Sequence, residues 1–136
     1  MLHSLCFISN AVDLWPETHL RPFNNLCKLR NRLNGLTGVL IYCEGTFMEV
    51  IEGREAKLLS VFSEINNDDR LDQTTLMMNS PIEQRIFDSF YTASKSVNNL
   101  KLLYWLELRL QEQAPSKYTK RLQAIIKPFF PLANAS

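Results

Sequence analysis

The sequence predicts an α+β protein: a ferredoxin-like βαββαββ sheet with two helices on one face and two C-terminal helices on the other. Three observations carry this expectation. The stretch Asn34–Gly53, NGLTGVLIYCEGTFMEVIEG, reads as two strands joined by a tight turn. Segments of strand and helix periodicity flank it, giving the order β-α-β-β-α-β-β, which is a split βαβ arrangement with one added strand. The tail then supplies Leu100–Leu110, apolar almost all round, and a second amphipathic segment after it. A helix that is apolar on every side needs cover on every side, so the tail is expected on the sheet face left open by the first two helices.

Leu2–Ser9 reads as the first strand, with Leu5 and Phe7 on one face and Cys6 and Ile8 on the other. Asn10–Pro22 reads as a loop broken by Asp13, Pro16 and Pro22, with Pro22 fit to be the first helical residue. Phe23, Leu26, Cys27 and Arg30 recur at helical spacing, so a helix is expected over Phe23–Leu33, ended by Asn34-Gly35. Leu36–Cys43 and Thr46–Glu52 form the hairpin around Glu44-Gly45, where glycine tolerates the positive φ of a two-residue turn. Alternation places Phe47, Glu49 and Ile51 on one face and Met48 and Val50 on the other. Both rows are largely apolar, so the sheet is covered on both sides, and Glu49 is the one misfit. Arg54–Asn66 carries a helical stripe of Ala56, Leu58, Leu59, Phe62 and Ile65. Thr74–Asn79 and Phe87–Ala93 read as the last two strands, with Pro81 between them. After Pro115, the residues Tyr118, Leu122, Ile125, Ile126, Phe129 and Phe130 form the final stripe.

At 136 residues, with 46% hydrophobic and 21% charged residues, the chain is long enough for one domain with one core. A net charge of +1 gives no electrostatic case for nucleic acid or an anionic membrane as partner. Phe47 alone on the central strand, with no interleaved basic residues, does not make an RNA-binding sheet. No apolar run reaches the roughly 20 residues that span a bilayer, and the N-terminus shows no signal-peptide pattern, so a cytoplasmic protein is expected. Cys6, Cys27 and Cys43 lack metal-ligand spacing and read as reduced, buried thiols. His3 and His19 lie far apart, and no metal site is expected. Glu49 and Glu52 fall on opposite strand faces and cannot act together as acid and base. With no nucleophile elbow, P-loop or dinucleotide fingerprint, the sequence offers no enzyme.

The hairpin halves NGLTGVL and GTFMEVIEG, the opening strand LHSLCFIS, the pair Arg30-Asn31, DDR at 68–70 and SPIEQRIF at 80–87 together resemble the BLUF family, flavin-binding sensors of blue light. The resemblance runs from about Leu2 to Ala93. It divides the chain into a BLUF-like part, residues 1–94, and a helical cap, residues 95–136, within the same domain. It implies FAD as cofactor, held between the two helices that cover one sheet face, and a site formed by Phe7, Arg30, Asn31, Glu49 and Arg85. It also implies a signalling strand carrying Phe90 and Thr92.

Departures from the family pattern are as informative as the matches. Phe7 stands where the family has its photoactive tyrosine, Glu49 where it has a glutamine, Phe90 for a tryptophan and Thr92 for a methionine; Asn31 is preserved. Phe7 has no hydroxyl to donate a proton. Glu49 lacks the amide NH₂; its ionised form only accepts hydrogen bonds, and its neutral form donates through one O–H. The resemblance with these departures implies a regulatory module that kept the fold, lost the usual light reaction and signals through protein contacts. A flavin photoreceptor with altered chemistry and a ligand-free assembly protein are the alternatives. Glu49 is either an exposed carboxylate on a half-open face or a buried one, whose pKa then rises unless a cation pairs with it, Arg30, Arg54 and Arg85 being the candidates. Asn31 either serves the site or only ends its helix. The tail predicts a homo-oligomer: a single copy leaves one apolar side of the Leu100–Leu110 helix in water, with Trp105, Leu102 and Leu106 as candidate anchors. A further protein partner is implied without being named.

Overall fold

The computed structural model describes residues 1–94, 107–113 and 116–127. Five strands form one sheet: β1 (Leu2–Ala11), β2 (Thr37–Cys43), β3 (Thr46–Arg54), β4 (Leu71–Ile82) and β5 (Phe90–Ser94). Their spatial order is β4-β1-β3-β2-β5. β1 is antiparallel to both β3 and β4, β2 is antiparallel to β3, and β5 joins the sheet parallel to β2. The helices α1 (Glu17–Leu33) and α2 (Glu55–Asn66) cover one face. On the other face lie a short helical stretch, residues 107–112, and α3 (Lys117–Ile126). Among the described residues, no helix is long and apolar enough to cross a membrane.

The alternation in β3 builds two cores. Phe7, Phe47 and Ile51 pack with Leu20, Phe23 and Cys27 of α1 and with Leu58, Val61 and Ile65 of α2. Cys6, Met48 and Val50 pack on the opposite face with Leu110 and with Leu122 and Ile126 of α3. Glu44 (φ 48°) and Gly45 (φ 87°) both take positive φ, the geometry of the tight turn that the Glu44-Gly45 pair predicts. A Cβ on Gly38 would stand 1.8 Å from the Val50 carbonyl oxygen, so only glycine lets β2 approach β3 there.

Three elements among the described residues differ from the sequence reading by more than a residue or two at an end. α1 begins at Glu17 rather than at Pro22 or Phe23, and Pro22 sits inside it. Burial of Leu20 on the same face as Phe23 draws the earlier turn into the helix, and Pro22 lies on the exposed side. β4 runs from Leu71 to Ile82 and includes Pro81. It is an edge strand, where a residue without an N–H is tolerated. β5 starts at Phe90 rather than Phe87, because the amides of Ile86 and Phe87 are taken by Glu52 instead of by a strand partner. In the tail, Leu110 is 1% exposed but Leu108 is 55% exposed. Trp105, Leu102 and Leu106 lie outside the described residues.

Candidate functional site

Strand register assembles the floor of the site. Phe7 stands opposite Glu49, Glu49 opposite Leu40, and Leu40 opposite Thr92. The row crosses four strands on the face covered by α1 and α2. Phe90, two residues before Thr92, is buried on that face. Phe7 is buried with its ring edge-on to Phe62 of α2, at a centroid distance of 5.4 Å.

Above this row hangs the last turn of α1. Asn31 is fully buried, and its Nδ2 donates to Glu49 Oε1 at 3.2 Å. Arg30 Nε donates to Asn31 Oδ1 at 3.1 Å, and Arg30 Nη2 lies 3.6 Å from Glu49 Oε1. The two alternatives left by the sequence are thereby resolved. Glu49 is 2% exposed and takes Arg30 as its cation, while Arg54 is exposed. Asn31 turns into the core, and Asn34 ends the helix by donating from Nδ2 to the Arg30 carbonyl at 2.7 Å. Burial pushes the Glu49 pKa above its ordinary value; Arg30 and the Asn31 amide pull against that shift without reversing it. The same burial, with Glu49 nearby, pushes the Cys27 thiol up to about 12, so it is inert as a nucleophile.

A cleft of about 300 Å³ opens between α1 and α2, walled by Phe23, Cys27 and Arg30 on one side, Glu64 and Ile65 on the other, and Asp68 and Arg70 at its end. That size is the lower end of small-molecule sites, roughly 300–1,000 Å³. Arg70 is held in place by Asp68, with Nε to Oδ1 at 3.0 Å and Nη2 to Oδ2 at 2.8 Å. These bonds hold the Asp68 carboxyl below its ordinary pKa. The Arg70 guanidinium carbon also lies 5.2 Å from the ring centres of both Trp15 and Phe23. Deeper in, the gap between Phe7, Phe23, Phe47, Glu49 and Ile65 holds only about 10 Å³.

The donor set fits a flavin edge. Arg30 Nη2 is buried and makes no hydrogen bond, since 3.6 Å from Glu49 suits charge attraction but not a bond. A buried donor without a partner is costly, and a ring carbonyl in the cleft would relieve it. Arg85 does not join this group. It reaches Thr37 Oγ1 and the Glu52 carbonyl, both at 2.9 Å, on the opposite face. The residues that sequence reasoning missed here are Phe23 and Cys27, legible only once the helix face is known, and Arg70, whose only signal was its place in DDR.

A second polar centre was not foreseen. Glu52 is fully buried on the far face. Its Oε2 accepts from the Ile86 amide at 2.9 Å and the Tyr118 hydroxyl at 2.8 Å. Its Oε1 accepts from the Phe87 amide at 3.0 Å and Thr37 Oγ1 at 3.3 Å. Ser4 Oγ completes the group, 2.9 Å from the Tyr118 oxygen. Burial still raises the Glu52 pKa, against the pull of all four donors.

A five-stranded sheet with a cleft between the two helices on one face, and a buried Arg30–Asn31–Glu49 group beside it, is the arrangement expected of a flavin-based light-sensing module. Residues 2–93 match the family described as sensors of blue light using FAD, and the chain belongs to this BLUF family. It is 27% identical over 88 residues to photoactivated adenylate cyclase subunit alpha of Euglena gracilis, a match over 65% of this chain and 9% of that protein. The chain therefore spans about a tenth of the length of the curated relatives it matches. Among solved structures, Klebsiella pneumoniae BlrP1 with FMN and cyclic diGMP matches with a TM-score of 0.71 at 26% identity, over 93% of this chain and 34% of that one. The BlrP1 BLUF domain gives a TM-score of 0.79 at 22% identity, over 96% and 90% of the two chains, which supports the fold.

Proposed function

We propose that this chain is a BLUF-type regulatory module that has lost the family's usual photocycle and acts in the cytoplasm through protein contacts. The observation that carries the reading is the pairing of Phe7 with Glu49 in the sheet row beneath α1 and α2. These are the two positions where the resemblance expects the tyrosine and the glutamine. Arg30, Asn31 and Arg70 would hold the polar edge of a flavin, with Phe23 and Ile65 against its faces. A bound flavin supplies a ring that absorbs blue light and exchanges electrons. Phe7 offers that ring no proton, and its side chain is a poorer electron donor than a phenol. Glu49 accepts from Asn31 and cannot present the two-ended hydrogen bonding of an amide.

The division into a sensing part, residues 1–94, and a cap, residues 95–136, belongs to the same reading. So does self-association through Trp105, Leu102 and Leu106, which light scattering coupled to size exclusion tests: a monomer at high concentration overturns it. The decisive experiment is a light-minus-dark absorption spectrum of protein loaded with FAD. No shift is expected, and a reversible shift to the red overturns the loss of the photocycle. A ligand-free interaction protein on the same scaffold is the second reading, favoured by the small gap beside Glu49, about 10 Å³. Failure to retain FAD after gel filtration would select it.

A further inference from the structure

We propose that the outward face of α1 is a docking surface for an acidic amphipathic helix of a partner protein. The inference rests on the reading that this module acts through protein contacts, and it assigns that contact a place and a chemistry.

Pro22, Leu26, Leu29 and Leu33 fall within about 60° of one another on the helical wheel, on the side of α1 turned away from the sheet. Leu26, Leu29 and Leu33 are 64%, 57% and 78% exposed. None of the three belongs to either core. Single exposed leucines are ordinary; a contiguous stripe of them marks a contact. The stripe runs into a cavity of about 610 Å³ whose wall includes Val12, Leu14, Trp15, Pro22 and Leu26. Leu14 and Val12 there are themselves 77% and 59% exposed. The surface thus offers a helical ridge and, at its end, a hollow for one large apolar side chain, the shape of an interface anchor point.

Charge selects the occupant. Arg21, Lys28 and Arg32 line one flank of the stripe. Arg21, Lys28 and Arg32 make no ion pair with a carboxylate among the described residues, and Arg32 donates to the Ser89 hydroxyl at 3.4 Å. A helix with leucines at i, i+3 and i+7 and carboxylates beside them complements both features. A bilayer fits less well, because it has no knob for the hollow. Leu26 also lines the cleft between α1 and α2, so the docked helix would cover the rim of the ligand site.

The test uses the full chain and a labelled synthetic peptide of about 18 residues, helical, with leucines at that spacing and glutamates on both flanks. Saturable binding is expected by fluorescence anisotropy, about tenfold weaker with L29E and weaker again in high salt. Leu29 is exposed, so L29E should keep the melting temperature. The double variant R21E/K28E should lose the acidic peptide and gain a version with lysine in place of glutamate. Equal binding of a scrambled peptide, or binding indifferent to L29E, overturns the proposal. So does loss of self-association in L29E without peptide binding, which makes a second copy the occupant. Leu29-dependent sedimentation with phosphatidylglycerol vesicles, again without peptide binding, assigns the face to a membrane and also overturns it. Peptide binding that persists in L29E and maps elsewhere leaves the reading of protein contacts standing while removing this site. No peptide binding, together with a monomer at high concentration, removes both.

Discussion

Glu49 and Glu52 hang from the same strand, three residues apart and on opposite faces, and each is no more than 2% exposed. Their partners differ in kind. Glu52 is met by two backbone amides, a phenol and a threonine hydroxyl, drawn from β2, the segment before β5, and α3. Glu49 is met by one side-chain amide and a guanidinium too distant to bond, both from the last turn of α1. Backbone amides are fixed by the fold, so Glu52 is a joint that ties the tail to the sheet. The donors of Glu49 sit on side chains beside a cleft, where a ligand can compete for them. One carboxylate is held by groups fixed in the fold; the other is held by two side chains of α1, one of which lines the cleft.

Substitution at Glu52 should produce the largest effect. In E52Q the new NH₂ faces one backbone amide and one hydroxyl; the hydroxyl can turn and accept, but the amide N–H is left unpaired, at a cost of about 1–3 kcal/mol in stability. Urea denaturation measures it, and a loss below about 0.5 kcal/mol would show that the joint carries nothing. Y118F should cost about 1 kcal/mol, because Glu52 Oε2 keeps the Ile86 amide when the phenol is lost. If Y118F proves as damaging as E52Q, the phenol rather than the amides holds the joint.

E49Q should be tolerated to within about 1 kcal/mol near neutral pH, since it removes a carboxylate whose burial is only partly offset. Its effect should depend on pH. The folded pKa of Glu49 is raised above the ordinary 4.5, so between the two values the folded state holds a proton that the unfolded state has released. Stability is therefore greatest below the ordinary value and falls as pH rises through the folded one. Melting curves from about pH 4.5 to about pH 8 should show E49Q gaining on the unaltered chain as pH increases, with Glu52 contributing the same slope to both. A pH-independent difference would mean that Glu49 keeps one protonation state throughout.

The same contrast explains what could be read from the sequence. Glu49 was visible because it interrupts an apolar row of period two, and its neighbours Phe7 and Asn31 were visible through motifs on the same hairpin, strand and helix. Both faces of β3 and the Glu44-Gly45 turn followed from alternation and glycine. Of Glu52 the sequence shows only that it ends its strand on the face opposite Glu49. Its donors lie 15, 34, 35 and 66 positions away, and two are backbone amides, which no residue type announces. Arg85 is one of three candidate cations for Glu49 on charge alone, but the fold places it beside the Thr37 hydroxyl and the Glu52 backbone carbonyl. Pro22 misled because a proline usually opens a helix, while the burial of Leu20 was a tertiary fact.

The placement of the two carboxylates also limits how β3 can be misassembled. In a sheet with one row per face, a slip of a single residue exchanges the faces of the whole strand. Such a slip here would drive Glu49 among Cys6, Met78 and Leu122, where none of its present partners reaches. It would turn Glu52 toward α1 and α2, away from the amides of Ile86 and Phe87. A strand of valine, isoleucine, methionine and phenylalanine alone would suffer far less from the shift, because either face would accept it. Two buried charges, each with donors waiting in only one register, make the competing alignment a state that the folding chain has strong reason to leave.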